Sequence, residues 1–195
     1  MISYNEIKEK KIIVFNNEPH LVLSSHVFRK QQRKAVNQTT LRNLITGSVV
    51  ENTFGQSDSV EEAYLESKEI DYIFSKKNEH WFHEHGNPKQ RFPLSEELLG
   101  DKIKMIKEGS SITARVFNPN DEKNWFEHIV DIELPIKLDL KVVEAPPNVK
   151  GNTADGGTKR VTLETGLEIN TPLFIEAGDV VRINTQTKEY VERAK

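Results

Sequence analysis

Residues 136–144 constrain the fold more than any other stretch of the sequence. Apolar and charged side chains alternate there from Ile136 to Val142. Successive side chains of a β-strand point to opposite faces, so this alternation predicts a strand with one buried face. Nowhere does the sequence carry an apolar stripe of helical period that lasts three turns. We therefore predict an all-β chain.

Shorter strand patterns, separated by turn residues, fill most of the remaining sequence. They lie at 11–15, 20–28, 35–44, 48–54, 70–74, 111–117, 125–132, 159–163, 167–175, 180–183 and 190–191. Residues 118–121 are predicted to form a turn, and residues 145–157 are predicted to form a long loop. Residues 60–67 are either a helical turn or a crossing strand. Ser95 as a cap and Gly100 as a stop predict one short helix between them.

These patterns divide the chain into three β modules, which we predict at 1–67, 68–134 and 135–195. The first reads as a small barrel of hairpins. Two groups of side chains are expected in the cores: Leu44, Val50 and Phe54, and the aromatic residues Tyr72, Trp81, Trp125 and Phe126.

Composition limits the functions that this chain can serve. The 195 residues carry a net charge of −3, so binding to a polyanion has to come from local basic patches. The absence of cysteine excludes disulfides and thiolate zinc sites. The first residues lack the features of a signal peptide, and no apolar run reaches membrane-spanning length. We expect a soluble, cytoplasmic protein with no membrane partner.

Residues 29–34 form the most basic segment of the first module. The segment holds four cations and two amides and no carboxylate, and strand patterns flank it on both sides. A cationic loop between paired strands is suited to contact a polyanion. The alternative is a solvated hairpin end without a partner.

We find no indication of an enzyme. The sequence has no Gly-x-Ser-x-Gly, no Walker-type loop and no His-Glu-x-x-His. His83 and His85 would share a face of a strand, but without cysteines nothing nearby completes a metal site. We expect no metal and no cofactor.

The third module resembles the carboxy-terminal domain of bacterial elongation factor P. The motifs that carry this resemblance are residues 156–166, 172–179 and 186–191, with the family's spacing between Lys159, Gly166, Pro172 and Gly178. Thr171 departs from the valine that usually precedes the proline. The resemblance extends to residues 138–144, 93–101 and 40–47 and so covers nearly the whole chain.

This resemblance implies a translation elongation factor with an SH3-like (KOW-type) amino-terminal barrel and two OB-fold barrels in an L-shaped, tRNA-like arrangement. Such a factor binds the ribosome between the peptidyl and exit sites and contacts peptidyl-tRNA and rRNA. It promotes protein biosynthesis at polyproline stalling sites by positioning the tRNA acceptor end. We expect a monomer, because a tRNA-shaped site admits one copy.

When the sequence is aligned with the family backward from residues 41–44 without gaps, the position of the family's loop tip corresponds to Gln32. Most family members have a lysine or arginine there that carries a post-translational extension, which a glutamine side chain cannot accept. The hypothesis is that Gln32, flanked by Gln31 and Arg33, contacts the tRNA end unmodified, while Arg29, Lys30 and Lys34 bind phosphates. An insertion or deletion would instead place Arg33 or Lys30 at the tip.

The third module carries the remaining candidate residues. Gly151, Asn152 and Thr153 match the family loop that faces the exit-site codon and the small subunit, or else they belong to a glycine-rich turn. Lys159, Arg160 and Arg182 are candidates for RNA phosphate contacts, or are ordinary exposed strand residues. The rival to the elongation-factor function is an OB-fold RNA-binding protein without activity directed at peptidyl transfer.

Overall fold

The structure, a computed structural model, describes residues 1–29, 34–118, 123–147 and 157–194. Within these residues the chain folds into three β-sheets of six, five and five strands. One four-residue α-helix and two short 3-10 helices accompany them. The all-β prediction is confirmed. In the described part of the chain, none of the helices has the length and apolar character needed to cross a membrane.

The first sheet contains six strands in the order β1-β6-β2-β3-β4-β5. They are β1 Ile2–Ser3, β2 Ile12–Phe15, β3 Glu18–Phe28, β4 Val36–Asn43, β5 Val49–Gly55 and β6 Ser59–Glu62. Asn16 and Asn17 form the tight turn between β2 and β3, both with positive φ, which asparagine tolerates better than most residues. The core of this sheet consists of Ile7, Ile13, Val22, Leu41 and Phe54.

The second sheet has the order β11-β10-β7-β8-β9. Its strands are β7 Glu66–Lys76, β8 Glu79–Glu84, β9 Asn87–Ser95, β10 Ser111–Val116 and β11 Ile129–Glu133. Helix α1, Glu96–Leu99, follows β9 and leads into a 3-10 helix at Gly100–Met105. The predicted cap is present, because the Ser95 hydroxyl accepts a hydrogen bond of 3.3 Å from the Leu98 amide.

The third sheet has the order β14-β13-β12-β15-β16. Its strands are β12 Lys137–Glu144, β13 Thr158–Leu163, β14 Glu168–Pro172, β15 Val180–Asn184 and β16 Glu189–Arg193. The alternation that predicted β12 places Leu140 and Val142 in the core against Val181 and Ile183 of β15. At residue 166 the chain turns with a φ of +80°, a conformation that glycine adopts without strain.

By the density of contacts between Cα atoms, the chain divides into two compact units. One comprises Met1–Lys68 and Ala114–Asp131, and the other comprises Glu69–Thr113 and Ile132–Lys195. The first unit has a small second core of Ala63, Phe117 and Val130. The three-module boundaries at 67/68 and 134/135 stay a prediction.

Several local predictions require correction. Val50 was expected in the core but is 38% exposed, because it lies near the start of β5, the edge strand of the first sheet. Residues 125–132 were expected to be one strand, but Trp125–His128 is a 3-10 helix that buries the Trp125 ring, and the strand begins at Ile129. For residues 60–67, where a helical turn and a strand were both open, the structure has strand β6 at Ser59–Glu62.

The expected core aromatics are only partly confirmed. Tyr72 and Trp125 are buried, whereas Trp81 and Phe126 are half-buried. Leu44 is half-buried and packs against the second core of the first unit. The predicted turn at residues 118–121 lies, apart from Asn118, outside the described residues.

Leu140 offers a test of the third core. It is 1% exposed, so Leu140→Ala should lower the free energy of unfolding by about 2–5 kcal/mol through lost burial and a cavity. Val143→Ala, at a nearby position on the same strand that is 54% exposed, should change it by less than about 0.5 kcal/mol. Chemical denaturation of the whole chain measures both. Equal effects of the two variants would contradict the assigned strand register.

Candidate nucleic-acid interface

The basic segment lies at the end of the hairpin formed by β3 and β4. The two strands pair in antiparallel register from His20 opposite Asn43 to Phe28 opposite Val36. Seven residues, 29–35, connect this last pair, and residue 32 is the middle one. Arg29 and Lys34 at the two ends of the connection are exposed. Lys30, Gln31, Gln32 and Arg33 lie outside the described residues.

The outer half of β3 extends beyond the core of the first sheet. Val22 is the last buried residue of β3, and every following residue up to Phe28 is exposed or half-buried. A β-bulge follows Val22 and changes the pairing with β4. Bulges bend and twist a strand, so this one changes the direction of β3 where the strand leaves the core.

A buried polar residue fixes the outer half of the hairpin to the amino-terminal segment. Asn37 is 0% exposed, and its Nδ2 donates to the carbonyl oxygens of Tyr4 at 2.6 Å and Ile7 at 2.9 Å. The Ser25 hydroxyl lies 2.6 Å from the Ile7 carbonyl and 3.1 Å from Oδ1 of Asn37. These contacts join β3, β4 and the turn at residues 4–7 in one network.

This network is what our sequence analysis missed. Asn37, Thr39, Leu41 and Asn43 are the inward positions of β4, and all four are buried. The sequence signal for this network is an asparagine and a threonine at inward positions of an alternating strand. Buried polar groups need hydrogen-bond partners, so these two residues indicate buried hydrogen bonds. Thr39 meets this need by donating to the Asn52 carbonyl at 3.0 Å.

The candidate cations of the third sheet already have partners. Arg182 donates from Nε and Nη2 to the Asp139 carboxylate at 2.7 and 2.9 Å, and from Nη1 to Glu192 at 2.7 Å. Hydrogen bonding to Asp139, and then to Glu192, raises the pKa of Arg182, and Arg182 in turn lowers the pKa of Asp139. A phosphate that approaches Arg182 would therefore compete with two carboxylates for its N–H donors.

Lys159 and Arg160 differ from each other in their surroundings. Lys159 is half-buried, and its Nζ donates to the Pro146 carbonyl at 3.2 Å. Arg160 is exposed and lies 3.2 Å from Glu168.

The structure does not bring the basic candidates of the third sheet together. Arg182 pairs with Asp139 near the start of β12, whereas Arg160 lies beyond the last β12–β13 pair, Glu144 with Thr162. Gly151, Asn152 and Thr153 lie outside the described residues. Contacts of all these residues with RNA stay a prediction.

The histidines singled out in the sequence surround Asp71 of β7. Nδ1 of His85 is 3.0 Å from both Asp71 oxygens, and Nδ1 of His83 is 3.7 Å from one of them. The hydrogen bond to Asp71 raises the pKa of His85. Burial acts to raise the pKa of Asp71, but hydrogen bonds from Ser111 and His85 outweigh it and lower that pKa. Among the described residues, no group of three or more His, Asp or Glu side chains has the arrangement of a metal site.

A cluster of cations at the end of a hairpin is the electrostatic feature expected of a nucleic-acid-binding surface. Comparison with known families makes this more specific. Residues 3–60 match the elongation factor P (EF-P) KOW-like domain, and residues 138–193 match the elongation factor P carboxy-terminal domain.

Whole-chain relatives agree with both matches. The chain is 38% identical to elongation factor P of Moorella thermoacetica over 194 residues, and 36% identical to that of Dictyoglomus turgidum over 194 residues. Both alignments cover 100% of this chain and of the relative. The chain belongs to the elongation factor P family and is a translation elongation factor, with a KOW-like first domain as predicted.

Comparison with solved structures gives a more distant match. The eukaryotic translation initiation factor 5A from Methanococcus jannaschii aligns with 59% of this chain and 84% of its own, at a TM-score of 0.49 and 9% identity. At this TM-score and identity, the similarity does not support a conclusion about function.

Asn37 should stabilise the first sheet through its two donated hydrogen bonds. Asn37→Leu keeps the branching and the number of side-chain heavy atoms but removes the hydrogen bonds to the carbonyls of Tyr4 and Ile7, so the free energy of unfolding should fall by about 1–3 kcal/mol. The exposed strand residue Asn170 provides a matched control, and Asn170→Leu should have an effect below about 0.5 kcal/mol. Thermal and chemical denaturation measure both variants. An unchanged stability for Asn37→Leu would contradict the anchoring role.

Proposed function

We propose that this chain binds the ribosome beside the peptidyl-tRNA and promotes peptide-bond formation at consecutive prolines by positioning the tRNA acceptor end. The observation that carries the proposal is the anchored hairpin, whose connection holds four cations and no carboxylate. In this proposal the cations contact tRNA and rRNA phosphates, and the chain works in the cytoplasm as a monomer without a cofactor. Family membership supports the same assignment.

The proposed contribution is orientation rather than acid–base chemistry. Proline is a stiff and poor nucleophile, so its reacting groups meet in unfavourable geometry, and a factor that holds the tRNA end reduces this cost. A tenfold increase in rate requires lowering the barrier by only about 1.4 kcal/mol. A few hydrogen bonds from a fixed hairpin suffice for that. The chemical step itself remains the ribosome's, so we propose no catalytic residue in this chain.

The tip residue of the proposal is Gln32, acting without modification. It is the middle residue of the seven that connect Phe28 to Val36, so the strand register and the ungapped count from residues 41–44 agree on the same position. A glutamine amide both donates and accepts hydrogen bonds, which suits contact with ribose hydroxyls and base edges. Gln31 and Arg33 flank it in the proposed contact.

The rival function is general RNA binding without action on peptidyl transfer. The ion pairs of Arg160 with Glu168, and of Arg182 with Asp139 and Glu192, weigh against it. A general binder needs cations that phosphates can reach along an extended surface, since each phosphate contact adds to the salt dependence of affinity. The third sheet instead neutralises these two arginines internally.

Alanine scanning of the connection tests the assignment of the tip. Gln32→Ala should slow synthesis of a triple-proline reporter about tenfold on ribosomes from the same source, equivalent to about 1.4 kcal/mol, while ribosome affinity stays within about twofold. Arg29→Ala and Lys34→Ala should mainly weaken binding and reduce its salt dependence. The variants Lys30→Ala, Gln31→Ala and Arg33→Ala complete the scan. A proline-free reporter and the exposed Gln186→Ala variant serve as controls.

Two results would contradict this proposal. If the unmodified wild-type chain binds ribosomes but does not accelerate the proline reporter, orientation by a bare glutamine is wrong. If Arg33→Ala or Lys30→Ala reproduces the selective loss and Gln32→Ala does not, the tip residue is wrong.

A separate measurement tests the proposal that the chain is unmodified. The intact mass of the chain purified from its native host should equal the sequence mass, apart from removal of the initiating methionine. Peptide mapping of residues 29–34 should show no adduct. An adduct on Lys30, Arg33 or Lys34 would contradict the unmodified mechanism, even if the proline reporter is accelerated.

A further inference from the structure

A serine of the second sheet is hydrogen-bonded to a buried histidine and a buried tyrosine. The Ser75 oxygen lies 2.7 Å from Nδ1 of His80 and 2.6 Å from the Tyr72 hydroxyl. Tyr72 and His80 are 6% and 7% exposed, whereas Ser75 is exposed. Burial lowers the pKa of His80, against the opposing effect of the Glu96 charge, so the imidazole is neutral at neutral pH. A neutral imidazole can accept a proton from a hydroxyl group.

A β-bulge in β7 brings these three side chains to one face of the sheet. The pairing of β7 with β8 shifts between Tyr72 and Phe74, so Ile73 is the extra residue. Residues three apart in a regular strand point to opposite faces, but the bulge allows Tyr72 and Ser75 to share one. Ser75 is directly opposite His80, and directly opposite residues also share a face. The hydrogen-bonded group therefore depends on an irregularity of the kind found next to active sites.

The same three side chains line an open cavity of about 540 Å³, a volume that suits a small molecule. Ile103 and Ile106, from the segment after helix α1, give it an apolar wall. Thr165, in the turn between β13 and β14, also lines it. The buried Oγ1 of Thr165 has no hydrogen-bond partner among the described residues. Buried hydroxyls normally have partners, so this one is available to a polar atom of a ligand.

Carboxylates lie beside both ammonium groups of this cavity. Nζ of Lys104 is 3.3 Å from Asp101, and Nζ of Lys107 is 3.6 Å from Glu164. Glu108 lines the cavity as well. Like charges repel, so these carboxylates disfavour a strongly anionic reactant such as a phosphoryl group. A neutral acyl group, which the apolar wall can contact, fits the cavity better.

A serine beside a neutral imidazole is the arrangement that activates a hydroxyl group as a nucleophile. We propose that Ser75 is a site of covalent modification by a small acyl thioester, with His80 as the proton acceptor. The Ser75 Oγ forms a bond to the thioester carbonyl carbon, and its proton passes to Nδ1 of His80. The carbon–sulfur bond then breaks, and the sulfur takes this proton and leaves as a thiol. The product is a serine ester, and no group is oxidised or reduced.

This inference is independent of the proposed function on the ribosome. The reaction modifies the chain itself once and involves no turnover. The bond from the Tyr72 hydroxyl holds the Ser75 oxygen in place while the serine proton points to His80. Because the sequence contains no cysteine, no thiol of the chain competes for the acyl group.

Incubation of the full chain with the acetyl thioester of N-acetylcysteamine, without ribosomes, tests this site. Peptide mapping by mass spectrometry compares Ser75 with Ser67, an exposed serine on the same strand that accepts a hydrogen bond from Arg115. A positioned proton acceptor contributes about 10²–10⁴-fold, so Ser75 should be acetylated at least about 100-fold faster than Ser67. Hydroxylamine should remove the acetyl group from Ser75, because it cleaves esters and leaves lysine amides intact. In denaturant the preference for Ser75 should disappear.

Substitutions separate the roles of the three side chains. His80→Gln keeps a hydrogen-bond acceptor but cannot take up the proton, so acetylation of Ser75 should slow to within about tenfold of Ser67. Tyr72→Phe keeps the ring, removes the hydroxyl and should slow the reaction by less than about tenfold. Ser75→Ala should lose the hydroxylamine-labile acetyl group. His83→Gln is the matched control, since His83 is another histidine of β8 and does not line this cavity, and it should leave the rate unchanged.

Several outcomes would overturn the site. They are equal acetylation of Ser75 and Ser67 in the wild-type chain, acetyl groups that all resist hydroxylamine, and an unchanged rate in His80→Gln. A preference for Ser75 that persists in denaturant would also overturn it, because the folded cavity would then play no part. This comparison needs only the wild-type chain, so it decides the question even if His80→Gln does not fold. A failure on the triple-proline reporter leaves all these results unaffected.

Discussion

The hydrogen bonds of the buried Asn37 amide are the interaction on which the orientation of the β3–β4 hairpin depends. The outer half of β3 has few buried apolar side chains to hold it, whereas β4 stays paired with β5 as far as Val36 opposite Gly55. Here two hydrogen bonds from one amide bind the hairpin to the carbonyls of Tyr4 and Ile7, and Ser25 joins the same network from the other strand. Because a buried polar group without partners is costly, the network favours one hairpin orientation over others. The proposed function requires such a fixed orientation.

Charge is distributed differently in the first and third sheets. In the third, Arg160 and Arg182 are paired with carboxylates across neighbouring strands, which is the usual way for a sheet face to combine both signs of charge. In the first, the hairpin connection has cations and amides with no acidic residue in the segment. A chain with a net charge of −3 thus presents a local positive end, and the contrast favours one docking orientation on a polyanion.

The sequence predicted the strands well because their side chains alternate with period two. Residues 136–144 indicated β12 to within one residue, and Ser95 and Gly100 indicated the short helix. Val50 was placed wrongly because its apolar character does not reveal that it lies near the start of an edge strand. Residues 125–128 were placed wrongly because a single 3-10 turn is too short to leave a periodic pattern.

The candidate site was less predictable than the fold, for a physical reason. Cations cluster visibly in a sequence, so the basic connection was found directly. The Asn37 network depends on tertiary hydrogen bonds, which join residues far apart in the chain, such as Tyr4 and Asn37. The ion pairs of Arg182 show the converse, since a cation that suggests phosphate binding in the sequence is held by Asp139 and Glu192 in the fold.

The proposed tip residue Gln32 is consistent with the anchoring of the hairpin strands. A lysine with an added group would be longer than a glutamine, and it could reach a partner from a wider range of hairpin orientations. Glutamine is short, and fixing a shorter side chain costs less conformational entropy, but its amide must already be close to its partner. A short tip therefore demands a hairpin held in one orientation, and the buried Asn37 network meets this demand.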